Sequence, residues 1–149
     1  MTDRLDHLGL VRMDEEACWR FLAGHNLGRA GLMHLASPMV FPVNYALDGR
    51  SVVFRTGPGT KLTLAAIGVR VAFEVDEADE AFGSGTSVVV HGTLHEITDP
   101  DELARARALP LRAWATGERD HFIRVSAERV TGRQFPAPPG EAAQRGPTL

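Results

Sequence analysis

At 149 residues the chain has the length of one compact domain, enough to bury about 68 to 70% of its unfolded surface without staples. Its 44% hydrophobic and 23% charged residues exclude a wholly disordered or fibrous protein. A net charge of −3 with pI near 6.0 excludes the strongly basic face that general nucleic-acid binding requires.

The elements can be read in chain order. Asp14 to Asn26 (DEEACWRFLAGHN) places Ala17, Cys18, Phe21 and Leu22 at helical spacing, with Asp14 as N-cap and Glu15 and Glu16 at the positive end of the helix dipole. Cys18, the only cysteine, rules out an intramolecular disulfide and, beside Trp19, reads as a small buried apolar side chain. From Gly28 a β-type stretch is cut at Ser37-Pro38 and at the hairpin dipeptide Asp48-Gly49. This predicts antiparallel strands at about Gly28 to Leu35, Met39 to Ala46 and Ser51 to Arg55. Pro42 cannot donate a ladder hydrogen bond, so an edge, a bulge or a bend is expected there. A Gly/Pro turn leads into a short helix from about Thr60 to Ile67, ended by Gly68. Strands follow at Arg70 to Asp76 and Thr86 to Thr98, separated by an exposed acidic loop, EADEAFGSG. Asp99-Pro100 opens a helix through about Ala108. After a loop bearing Trp114, the last strand runs from His121 to about Thr131. Residues 1–135 form one domain, and the Pro- and Gly-rich 136–149 are expected to be a disordered tail.

Six strands with short links, two or three small helices and no βαβ alternation predict a mainly β fold, a closed or partly closed antiparallel barrel with peripheral helices. No apolar run approaches the roughly 18 residues of a membrane helix, and the N-terminus carries no signal-peptide core, so a cytoplasmic location is expected.

The strongest local feature is FRTGPGTKL, Phe54 to Leu62. Arg55 and Thr56 end a strand, and Thr60 and Lys61 open a helix after Gly57-Pro58-Gly59. Two cations, hydroxyls and helix-terminal amides suit an anion, usually a phosphate; a solvated turn capped by a threonine is the plain alternative. Lys61 is the one lysine among 16 basic residues. The segment is neither a Walker A loop nor a dinucleotide fingerprint. In Val40 to Tyr45 (VFPVNY), a ladder broken at Pro42 would free backbone groups for a flat heterocycle; an ordinary core strand is the alternative. His91 and His95, four apart in a strand, are about 13 Å apart and cannot share a metal on their own, so no metal site is expected. Trp114 either closes over a ring or packs at the surface.

Taken together, VFPVNYALDG, VVFRTGPGTKL, VAFEVDE, SVVVHG and the Arg119 to Val125 stretch resemble the pyridoxamine 5′-phosphate oxidase-like family, and within it the small actinobacterial flavin-binding split barrels. The likeness spans about Leu10 to Phe135. It implies a six-stranded split β-barrel forming a homodimer, with two FMN sites at the subunit interface. Phe41, Pro42, Val43 and Asn44 would run along the isoalloxazine ring. Arg55, Thr56, Thr60 and Lys61, with Leu62 beside them, would hold the phosphate. Ser87 and Val88 would contribute from the partner chain, and Trp114 would cover the ring or the opening. The basic C-terminal motif of genuine pyridoxamine phosphate oxidases is missing from Arg129 to Phe135, which speaks against vitamin B6 oxidation. The implied activity is an FMN-dependent oxidoreductase passing hydride or electrons between a reduced nicotinamide and a small acceptor, with no catalytic acid or base named. The alternative is a non-catalytic carrier or sensor holding flavin, the deazaflavin F420 or haem in the same cleft.

Overall fold

The computed structural model describes residues 10–111 and 121–136. Eight strands and three helices follow one another as β1 (Val11–Met13), α1 (Glu15–Ala23), β2 (Leu27–His34), β3 (Ser37–Asn44), β4 (Ala46–Leu47), β5 (Ser51–Thr56), α2 (Thr60–Ala66), β6 (Arg70–Asp79), β7 (Ser84–Glu96), α3 (Pro100–Arg107) and β8 (His121–Phe135). All pair antiparallel in one sheet ordered β3-β2-β6-β7-β8-β5-β4, with β1 on β8. The six expected strands are the six long ones. The count rises to eight because residues 11–13 also bond to β8, and because the chain breaks step at Tyr45, which splits a two-residue β4 from β3.

The sheet curls until β3, at one end of the order, meets β5, near the other. That curl makes a split barrel. Its inner face holds Val43, Phe54, Phe73, Val88, Val90 and Ile123, closed by Cys18, Trp19 and Leu22 of α1 and Leu64 and Ala65 of α2. A smaller cluster on the other face of β5 packs Val53 and Phe122 against Ile97, just after β7, and Ala106 of α3. Sequence chemistry sets the helix starts. Asp14 Oδ1 accepts from the Ala17 amide at 2.8 Å, and Asp99 Oδ2 accepts from Asp101 and Glu102 at 3.1 and 3.0 Å, each capping a first turn that has no backbone acceptor.

Two expectations are corrected. The first hairpin turns at Leu35-Ala36, not at Ser37-Pro38. His34 pairs with Ser37, and both turn residues have positive φ, 49° and 61°. The expected acidic loop shrinks to residues 80–83, because β6 continues to Asp79 opposite Ser84. Of the alternatives expected at Pro42, the edge position is the one found: it lies on the edge strand with no bulge, opposite Arg29, where a missing donor on the open side breaks no ladder.

Candidate functional site

The ends of the curled sheet meet where β3 faces the start of α2. Lys61 Nζ lies 5.0 Å from the centroid of the Phe41 ring, so the two segments singled out in sequence are brought together across the seam of the barrel. A cation over an aromatic face gains about 0.5 to 1 kcal/mol at an exposed site. The contact fixes the ammonium at the mouth between β3 and α2. Gly59, with φ 147°, is the N-cap of α2 and offers no side-chain cap. The cations and hydroxyls, more than this seven-residue helix, therefore carry the attraction for an anion.

The other sequence candidates fall into place unequally. Thr56 is buried beside this turn, its hydroxyl donating to the Gly57 carbonyl at 3.1 Å. Thr60 is exposed and Leu62 is packed against the core. Arg55, adjacent to Thr56 in a strand, emerges on the opposite face, with its guanidinium 5.2 Å from the Phe122 ring centroid. Along β3, Pro42 is exposed, Val43 is buried in the core, and the Asn44 side-chain oxygen is buried with no hydrogen-bond partner. Val88 is fully buried inside the barrel. Ser87, next to it, faces outward and makes a long hydrogen bond, 3.5 Å, to Glu74 Oε1. Trp114 lies outside the described residues.

Two arrangements escaped the sequence reading. His121 stands directly opposite Thr56 in the β5–β8 ladder, with Nδ1 2.7 Å from Glu96 Oε1. Their 65-residue separation in sequence hid the pairing. On the outer face, Glu74 lies among Asp76, Arg29 and Ser87. Burial, and then the hydrogen bond and charge of Asp76, push its carboxyl up to about 7, against the pull of Arg29 and Ser87. Their adjacency follows from the β2–β6 register, which sets Arg29 opposite Glu74. Among the described residues no helix is long and apolar enough to cross a membrane.

Comparison with known proteins agrees with this architecture. An uncharacterized protein of Mycobacterium tuberculosis is 36% identical over 129 residues, 83% of this chain and 84% of the relative. The FAD binding protein from Mycobacterium smegmatis has 36% identity with a TM-score of 0.72, covering 84% of this chain and 99% of that one. A FAD-binding protein from Mesorhizobium loti has 25% identity with a TM-score of 0.71, covering 85% of this chain and 98% of that one. The family model described as pyridoxamine 5′-phosphate oxidase matches residues 14–134. With the split-barrel fold, that match across most of the chain places it in the pyridoxamine 5′-phosphate oxidase-like family.

Proposed function

We propose that this chain binds a flavin nucleotide, FMN, at the seam between β3 and α2, and acts as an oxidoreductase between a reduced nicotinamide and a small acceptor. The reading includes a homodimer with two such sites. The observation that carries it is the meeting of Lys61 and Phe41, which puts a cation for a phosphate beside a strand suited to a flat ring. The residues fit the group in a second respect: the buried Asn44 oxygen without a partner is an acceptor that a ring N–H would satisfy, relieving a desolvation cost of about 1 to 3 kcal/mol. β3 is also the edge strand, so its outer backbone groups are open to a ligand.

When bound, the flavin supplies the hydride and electron transfer. The chain's own part is to hold and orient. Lys61, with Thr60 and Thr56 around the same turn, would take the phosphate, and Arg55, next to Thr56 in β5 but on its other face over Phe122, is the second cation of the segment. A charge-assisted hydrogen bond contributes about 1.5 to 3 kcal/mol, or roughly tenfold to a hundredfold in affinity. The FAD-binding relatives support FAD as the second reading for the same seam.

Purified protein titrated with FMN, FAD and riboflavin tests this. Saturable binding is expected, and Lys61→Ala should weaken FMN by about tenfold or more while barely affecting riboflavin. No heat and no fluorescence change with any of the three would end the flavin reading. Equal losses for FMN and riboflavin would remove Lys61 from the phosphate. Reduction of the loaded protein by a nicotinamide separates the enzyme from a carrier.

A further inference from the structure

The strand register sets a histidine and a carboxylate beside the turn proposed for the phosphate. His121 opens β8 directly opposite Thr56, the last residue of β5 before Gly57. Two residues along β8, Ile123 pairs with Phe54 on one side and with Glu96 of β7 on the other. Successive side chains of a strand alternate between its faces. His121 therefore shares a face with Ile123 and Val125, Thr56 with Phe54, and Glu96 with Leu94, and those apolar residues all belong to the barrel interior. The polar three stand at the end of that interior, which α2 covers by packing against β7 and β8.

The pair leaves one atom on offer. His121 Nδ1 lies 2.7 Å from Glu96 Oε1, so with a carboxylate there the Nδ1–H is donated and the direction of the ring is fixed. Nε2 remains, and among the described residues nothing bonds to it. As a fastening the pair is weak: its side chains are 41% and 27% exposed, and exposed ion pairs add little to stability. Charge on this side of the wall is otherwise sparse among the described residues. β5 turns Arg55 to the opposite face, over Phe122, and α2 carries a single charged residue, Lys61, seated at the mouth by Phe41. β1 and Cys18 of α1 reach β8 near Gly132, at its other end, and α3 packs on the other face. Glu96 and Lys61 are thus the charged groups that His121 has on its own side of the barrel wall.

We propose that His121, aligned by Glu96, is a further cation of the phosphate site, and that a phosphate monoester binds there with a proton on His121 Nε2. The proposal rests on the flavin-nucleotide reading and adds to it a residue from a distant strand. A phosphate dianion needs a donor, and with the Nδ1–H given to Glu96 only the protonated ring has one left, at Nε2. Anions on both nitrogens favour that protonated form. A ring that is neutral before binding therefore takes its proton from solvent as the phosphate arrives. Lys61 supplies a constant charge at this turn, whereas His121 supplies one that depends on pH. Above pH 6.5 a phosphate monoester, with its second ionisation near 6, is mostly the dianion. From there to pH 8.5 the affinity for FMN should fall about tenfold. Riboflavin, which lacks the phosphate, reports every other titration that affects the site, that of Glu74 included.

Fluorescence titration of the flavin-free full chain with FMN and with riboflavin, at pH 6.5 and pH 8.5, tests the proposal. His121→Ala should weaken FMN about tenfold at pH 6.5, leave riboflavin unchanged, and remove the pH dependence by which FMN differs from riboflavin. Glu96→Gln keeps an acceptor for Nδ1 and loses the anion, so the fall in FMN affinity should move to lower pH. An unchanged FMN affinity in His121→Ala, equal losses for FMN and riboflavin, or a wild type whose two ligands share one pH slope would each overturn the phosphate contact. A Glu96→Gln chain with the wild-type profile would overturn the part given to Glu96. If His121→Ala does not fold, His121→Gln, which keeps a hydrogen-bonding side chain without the charge, should show the same selective loss, and an unchanged FMN affinity there overturns the contact equally. Should the wild type bind neither flavin, the flavin reading fails by itself. Inorganic phosphate then reads the ring directly: it should shift the imidazole nitrogen resonances of His121 at pH 6.5 in the wild type and less in Lys61→Ala, and no shift would overturn the phosphate site.

Discussion

At the scale of single residues, Gly92 illustrates how closely the barrel wall is packed. A Cβ there would run into the Ser126 carbonyl oxygen and lie 3.2 Å from Val125 Cγ1. The crowding coincides with a shift of register. His91 pairs with Arg129 but Gly92 with Ala127, so Glu128 is the extra residue of a bulge in β8. The bulge turns Glu128 toward Arg70 and Thr93. Gly92→Ala must push backbone against backbone, and a loss of at least about 2 to 3 kcal/mol is expected. A lower urea midpoint at unchanged slope would register it. An unchanged midpoint would mean that the bulge yields easily.

Elements were legible in proportion to how local their causes are. Asp14 and Asp99 cap the helices they were expected to cap, and Asp48-Gly49 forms its hairpin, with φ 59° at the glycine, because each signal acts within a few residues. The β2–β3 turn was missed because its residues carry no turn chemistry. A two-residue loop with φ positive at both positions favours Asn-Gly, yet Leu35 and Ala36 occupy it. The strands on either side impose the turn on residues that resist it, each at about 1 to 2 kcal/mol. Replacing the pair by Asn-Gly (Leu35→Asn with Ala36→Gly) should therefore stabilise the chain by about 1 kcal/mol, once the added freedom of glycine in the unfolded state is subtracted. Denaturant unfolding is the measurement. A destabilised double variant would show that Leu35, 88% exposed, makes its compensation elsewhere. The candidate site divides along the same line: FRTGPGTKL announced its chemistry locally, whereas the approach of Phe41 to Lys61, the pairing of His121 with Thr56 and the grouping of Arg29, Glu74 and Ser87 all depend on which strands become neighbours.

For the whole molecule, the pH response of the fold sums groups whose values are shifted in opposite directions. Glu74 has its folded value raised above the ordinary one, to about 7. Its contribution to the stability of a single copy is therefore fully present below the unfolded value near 4.5 and is lost as pH rises through about 7. Asp48 behaves oppositely. The hydrogen bond from Arg124 is the largest cause lowering its carboxyl, with Arg105 adding to it, so its contribution is already complete above the unfolded value near 3.8 and is constant across neutral pH. Between pH 5 and pH 8 Glu74 therefore lowers stability as pH rises, while His91, held below its ordinary 6.5 by burial, Arg129 and Arg70, raises it. Wild type and Glu74→Gln should therefore differ in slope: from pH 5 to pH 8 the variant should lose fewer degrees of Tm than wild type, or gain more, by a few degrees. Differential scanning fluorimetry across that interval reads the difference, and identical slopes would show that Glu74 does not set the pH response of the fold.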